Sequence, residues 1–449
     1  MRPSFEMARA RSITLWTVAI VLWGLITHGT HAGTGDEPHY LAAAHSIAFD
    51  GDLDLSNNYG AREPLVGGGV LQPETHVRPG WNGVPRPVHD IGLPLAFAPY
   101  VRIAVPITKL LTRLFPPEVL QRARLNPPVL YRHLISLAMI ALTVVLAGRL
   151  FDTFADFGAS RGAAMAATLL VVLSPPLLIF SILFFTELLS ALIAFVVFRA
   201  IVLQDVSGRM RWLLIGAAAG FLVLLHAKNI GLTIPLAALA VASLRDRSRR
   251  AEAIAFAAGT AFVVVLRTLV NYHFWGSMVG GPHARFVTEW PGLPATIRET
   301  MYRATALLSD QEFGLLPYAP IMLLAIPGFI SLARSRRDVA WPIALVIVFY
   351  GSLIVCPLTN IHGWTGGWNP PARFLTPIVP LLGVFVYAGL RAAPGILILP
   401  LLVLQIAIDG YAWQHPKILW NDGDGRAAFC DTTGSRICAY LPSLAKGSR

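Results

Sequence analysis

Two adjacent carboxylates, Asp36 and Glu37, open the stretch GDEPHYLAAAHSIAFDGDLDL (residues 35–55), and His39 and His45 follow about one and two turns along. Acids and imidazoles gathered this closely can move protons or hold the hydroxyls of a polar substrate. The stretch comes directly after an apolar run long enough to enter a bilayer, so such groups would meet a substrate that arrives through lipid. Asp36 at the cap position, with Glu37 and Pro38 in the first turn, starts a helix. Tyr40, Leu41, Ala44, Ile47 and Ala48 recur at helical spacing, and Asp50-Gly51 stops it. On the plainest reading Asp36 only caps that helix and Glu37 only complements its dipole. Two acids beside a membrane span, in company with two histidines, favour chemistry.

Five further places carry ionisable or aromatic groups at span ends, where a charge needs a partner or a task. They are Glu187 in FFTELLS; His226 and Lys228 in LLHAKN; Arg267; the stretch NYHFWGSMVGGPHARF with His273 and Arg285; and HGWTGGWNPPARFLTP with Trp364, Trp368 and Arg373. A guanidinium fixed at the lipid boundary suits a phosphate, which it meets with paired, charge-assisted hydrogen bonds. Arg373, Lys228, Arg267 and Arg285 are therefore the candidate phosphate-binding cations. Glu187, His39, His226, His273, Trp364 and Trp368 are candidates to hold a sugar or acceptor, the tryptophans by stacking. Metal-ligand types are present in His31, Asp36, His39, His45, and His89 with Asp90, but no HExxH or comparable spacing organises them, so no metal or other cofactor is expected.

The elements that must position these residues are membrane helices. Hydrophobic residues make up 55% of the 449 and charged residues only 14%, and the apolar runs repeat at roughly bilayer length. About eleven spans are expected, near residues 13–30, 131–149, 162–183, 187–204, 212–228, 230–244, 252–271, 314–333, 340–358, 374–390 and 394–410. The net charge of +11 falls mostly on short loops of one side, which orients the chain with its N-terminus cytoplasmic and argues against a nucleic-acid partner. All twelve histidines then map to the outer side. The first run has no convincing cleavage site and reads as an uncleaved span.

Three outer segments are long: 31–130, holding amphipathic pieces at 37–49 and 92–115 that could lie in the interface; 272–313; and a tail, 411–449. Residues 1–410 form the transmembrane catalytic unit. Cys430 and Cys438 in the tail suit a disulfide in an oxidising compartment, while Cys356 reads as a core residue. No glycine fingerprint for a nucleotide occurs.

This arrangement resembles the GT-C superfamily of polyprenyl-phosphate-sugar-dependent glycosyltransferases, which includes the protein O-mannosyltransferases and the bacterial aminoarabinose lipid A transferases. The likeness rests on GDEPHYL, on QEFGLLPYAP at 311–320 and on WNPPARFL at 368–375, and covers most of the chain. It implies an all-α polytopic fold whose long first periplasmic loop carries interfacial helices. It also implies a donor that is a polyprenyl-phosphate-linked sugar, a membrane-lipid or cell-envelope glycan acceptor, and Asp36 as general base, with Glu37 beside it, at the outer face of the inner membrane. The chain departs from the family where Pro370-Pro371-Ala372-Arg373 replaces the more usual Gly-Pro-Arg, and it has no large soluble periplasmic domain. The rival expectation is a transporter or flippase for a lipid-linked or anionic solute, for which Pro175-Pro176 is the nearest thing to a broken helix.

Overall fold

The computed structural model describes residues 2–28, 35–203, 206–244, 247–278, 290–360, 363–367, 369–434 and 436–445. It is a helical assembly, and seven of its helices are long and apolar enough to cross a membrane. This is an all-α, multi-pass membrane architecture. In chain order the helices that matter below are α1 (Arg2–His28), α2 (Glu37–His45), α3 (Gly92–Leu114), α4 (Pro127–Asp156), α5 (Arg161–Val172), α6 (Thr186–Val202), α7 (Arg209–Leu225), α8 (Ile230–Ser243), α9 (Arg250–Trp275), α10 (Leu293–Ser309), α11 (Ala325–Ser335), α12 (Arg337–Val355), α13 (Val379–Ala392) and α14 (Gly395–Gln414).

Where eleven spans are expected, the long apolar helices are α1, α3, α4, α9, α12, α14 and the segment Arg373–Ala392. The remaining expected spans are shorter pieces. At 17 residues each, α6 and α7 reach only about 26 Å, short of a hydrocarbon core of about 30 Å. The expected span 162–183 is broken: α5 ends at Val172, ahead of Ser174 and the pair Pro175-Pro176, and the chain reaches Phe185 through a single helical turn, Leu177–Phe180, flanked by irregular backbone in the core. Its backbone is held by neighbours, with Ser136 Oγ donating to Ile182 O at 2.6 Å and Glu37 Oε1 accepting from Phe184 N at 3.0 Å.

Gly92–Leu114, expected among the interfacial pieces, is one continuous 23-residue helix that by length and composition also counts among the seven. Leu93, Phe97, Val101, Ala104, Val105 and Thr108 form its buried stripe, while Leu95, Ile103, Ile107 and Leu110 are exposed on the other side. Its exposed side also carries Arg102, Lys109 and Arg113, so the helix remains amphipathic along its length.

Two helix pairs approach so closely that only glycine fits. A Cβ on Gly216 of α7 would stand 2.0 Å from Phe256 O of α9, and one on Gly259 would stand 2.1 Å from Leu213 O. Between α11 and α13, Gly328 faces Phe385 O and Gly389 faces Leu324 O in the same way. Small residues at such crossings are how helices gain contact where lipid removes the hydrophobic drive.

The one sheet among the described residues is the antiparallel hairpin of β1 (Val77–Pro79) and β2 (Pro85–Pro87), turned at Asn82-Gly83 with Gly83 at φ +80°. Its tip is pinned to the end of α9: Trp81 Nε1 donates to His273 O at 2.8 Å, Trp81 N donates to Phe274 O at 3.0 Å, and Arg86 lies over the Phe274 ring. The tail folds back on the segment after α10. Asp310 accepts from Leu444 N and Ala445 N, and Glu312 accepts from Gly423 N and Gly425 N. Cys430 and Cys438 are bonded, their Cα atoms 6.3 Å apart.

Candidate active site

Asp36 occupies the N-cap position of α2, but its side chain makes no capping bond. Its carbonyl receives His39 N and Tyr40 N, which leaves the carboxylate free to turn away from the helix. Oδ2 accepts a 2.6 Å hydrogen bond from Arg373 Nη2, across 337 residues of sequence. The capping role expected for Asp36 is therefore replaced by an ion pair.

Arg373 is buried and every nitrogen is placed: Nε donates to Glu187 Oε1 at 2.9 Å and Nη1 to Gly366 O at 3.2 Å, with Phe185 and Phe374 over the guanidinium. The turn that presents it uses Ala372, which sits at φ +52° and is fixed there by its N–H on Phe313 O at 2.9 Å. Alanine in that left-handed region costs on the order of 1 kcal/mol, so the position of Arg373 is enforced by its surroundings.

Glu187, wholly buried at the start of α6, is shared by two cations. Its Oε1 accepts from Arg373 and, at 2.8 Å, from Lys228 Nζ, which also lies 4.3 Å from the centre of the Phe374 ring. Lys228 stands in a single 3₁₀ turn between α7 and α8, and His226 caps that turn by accepting Lys228 N at 3.2 Å. Asp36, Glu187, Lys228 and Arg373 thus form one buried cluster drawn from four distant places in the chain. Two negative and two positive charges balance within it.

The other expected residues lie around this cluster or apart from it. Glu37 points the opposite way from Asp36, wholly buried, with one oxygen on Phe184 N and the other 3.9 Å from Arg132 Nη1. It fixes α2 against the irregular segment. Arg267 is committed to Asp90 through bonds of 3.1 and 2.9 Å, and Asp90 also accepts Ala227 N at 2.7 Å. Burial raises the Asp90 pKa and Arg267 opposes that rise. The pair braces the turn that carries Lys228.

His273 exposes its ring and serves the hairpin through its carbonyl. Trp364 is buried, its ring at 82° to that of Phe313 with ring centres 6.3 Å apart. His45 pairs with Glu63 at 2.9 Å. Arg285, Trp368 and His31 lie outside the described residues.

The face of Asp36 away from Arg373 meets histidines. His89 Nε2 is 3.8 Å from Asp36 Oδ1, His76 Nδ1 is 2.9 Å from His89 Nε2, and His39 stacks on His76 with ring centres 3.7 Å apart while bonding Tyr59 Oη at 3.0 Å. His76 was not among the residues singled out from sequence, and His89 entered only as a possible ligand with Asp90. The signal that could have found them is the Asn-Gly hairpin, since residues just outside its two strands must come together. Burial pushes the Asp36 carboxyl up, but Arg373 foremost, then His89, hold it below the usual carboxylate range. Burial pulls the His39 imidazole down to about 3, helped by His76 and His89, and burial also lowers His76.

No family model, curated protein or solved structure matches this chain.

Proposed function

We propose that this protein is a membrane glycosyltransferase of the GT-C type. In this reading it moves a sugar from a polyprenyl-phosphate donor to a membrane-lipid or cell-envelope glycan acceptor at the extracytoplasmic face of the inner membrane, with the N-terminus cytoplasmic. The eleven-span arrangement belongs to the same reading: it counts short helices such as α6 and α7 beside the long ones and leaves Gly92–Leu114 in the interface of the outer loop.

The observation that supports it most is the state of Asp36. It is a carboxylate at the helix start that follows the first span, released from capping and paired with Arg373 in a charge-balanced cluster. Oδ1 accepts the proton of an acceptor hydroxyl as that oxygen attacks the anomeric carbon; the bond from that carbon to the phosphate oxygen breaks and the lipid phosphate leaves. A positioned base of this kind contributes typically about 10² to 10⁴ in rate. Direct displacement inverts the anomeric centre. Lys228 and Arg373 are the cations placed to stabilise the leaving phosphate, and Glu187 holds them in register beforehand.

The rival transport reading would draw on the unwound segment 173–185. The backbone of that segment is instead held in place, by Ser136 on Ile182 O and by Glu37 on Phe184 N, among buried core side chains.

The test is to measure donor-lipid binding and turnover separately in the Asp36→Asn variant. The proposal expects binding to persist and turnover to fall by at least 10²-fold. Wild-type turnover in the folded Asn variant removes Asp36 as base; solute flux without sugar transfer turns the reading to transport.

A further inference from the structure

The structure assigns a divalent transition-metal site to Asp36, His76 and His89, with zinc as the ion its chemistry fits best. Asp36 Oδ1, His76 Nδ1 and His89 Nε2 offer ligand atoms that all lie within 4.8 Å of one another. The two nitrogens are 2.9 Å apart and the carboxylate oxygen is 3.8 Å from His89. Ligand nitrogens 2.0–2.1 Å from a tetrahedral zinc stand about 3.3 Å apart, so movements of roughly an ångström close the three around an ion. Two imidazoles and a carboxylate are the ligand types of zinc and its first-row neighbours, not of magnesium or calcium.

The surroundings are those of a built site. His76 and His89 leave the two ends of a hairpin whose tip is anchored on α9 through Trp81, and Val88 N donates to His76 O at 3.1 Å, so backbone fixes the spacing of the two rings. His39 stacks on His76 and is itself held by Tyr59. Partners of this outer kind orient ligands and commonly set metal affinity. The neutral imidazole is the form that ligates, and the proton shared between the two rings moves to the far nitrogen of its ring when the ion enters.

Charge supplies an independent reason. Asp36, Glu187, Arg373 and Lys228 cancel, Asp90 is matched by Arg267 and Glu37 by Arg132, so the described cluster holds no surplus positive charge for an anionic ligand. A divalent ion on the histidine face would provide it. Three protein ligands leave a fourth position open, as in catalytic and not structural zinc sites. An acceptor hydroxyl there loses its proton more readily. This last consequence rests on the proposed transfer, whereas the metal site itself stands on the side chains alone.

The experiment uses the full-length protein in detergent, stripped with chelator, without donor or acceptor. Equilibrium binding of Zn²⁺, and the visible spectrum of Co²⁺ as a substitute ion, should show one site. His76→Ala and His89→Ala should each weaken it by at least 100-fold, Asp36→Asn should weaken it less, and His28→Ala should leave it unchanged. In wild-type protein, Zn²⁺ should protect His76 and His89 from acylation, a readout that needs no variant to fold. Absence of binding, or binding that survives both histidine variants with no protection of either ring, overturns the assignment. Loss of the transfer reading with zinc still held by these three residues would sink the proposed function and leave the site standing.

Discussion

Glu187→Gln is the perturbation whose cost the structure fixes most tightly. Glu187 is wholly buried, and one of its oxygens receives both Lys228 at 2.8 Å and Arg373 at 2.9 Å. Neutralising it leaves two buried cations facing the single charge of Asp36. Removing one partner of a buried pair costs about 3 to 5 kcal/mol, because the charge left behind is neither solvated nor matched. At 3 kcal/mol the folded-to-unfolded ratio falls about 150-fold. The matched double variant Glu187→Gln/Lys228→Met removes one charge of each sign and leaves Asp36 paired with Arg373, so most of the loss should return, to within about 1 kcal/mol of wild type. The assay is equilibrium unfolding in mixed micelles for wild type, both single variants and the double, read as a double-mutant cycle. Additive losses in the cycle, or a Glu187→Gln cost under about 1 kcal/mol, would refute the claim that charge balance holds this cluster together.

Other consequences follow from packing and titration. Glu312 is pushed up to about 7, by burial first, against the opposing bond from Gly425, with Asp310 and Asp424 adding to the rise. A carboxyl whose folded pKa lies above its unfolded value stabilises the fold fully below about pH 4.5, and that contribution is lost as pH rises to about 7. Tail docking should therefore weaken by at most about 3 kcal/mol between pH 4.5 and 8, read as exchange protection of the Ala427 and Ala428 amides normalised for intrinsic rate. Glu312→Gln should abolish that dependence, and a flat wild-type profile would contradict it. Gly216→Leu and Gly328→Ala should each split a helix pair and cost more than about 3 kcal/mol, since even a Cβ would sit 2.0 Å and 1.7 Å from facing carbonyls. Gly351→Ala on α12, with nothing within 4 Å of the added atom, should be neutral or stabilise by up to about 1 kcal/mol in the same unfolding assay. Zn²⁺ binding should disappear with His76→Ala while His28→Ala retains it, as set out above.

The membrane class was legible because apolar runs of bilayer length need no tertiary information. Four of the residues chosen for their cost at a span end, Asp36, Glu187, Lys228 and Arg373, do converge, since buried charges must find one another. What composition could not reveal was which charges are committed to whom. Arg267 reads as a spare cation until Asp90 is placed against it, and Glu37 reads as the twin of Asp36 until its side chain is found on Phe184 N. Trp364 has the residue type of a sugar platform, yet it is buried in the core at right angles to Phe313. QEFGLLPYAP has its own task in clasping the tail through Gln311 and Glu312, a long-range contact without local periodicity. The irregular run after Pro175-Pro176 hid inside an expected span because hydropathy is blind to backbone conformation.

The measurement that tests the central claim most directly is sugar transfer in proteoliposomes from a panel of polyprenyl-phosphate sugars, comparing wild type with Asp36→Asn shown to be folded and membrane-inserted. The account predicts that wild type releases polyprenyl phosphate, passes the sugar on with inverted anomeric configuration from at least one donor, and that the Asn variant does neither. Transfer by the Asn variant at the wild-type rate, or no Asp36-dependent transfer from any donor, would contradict it.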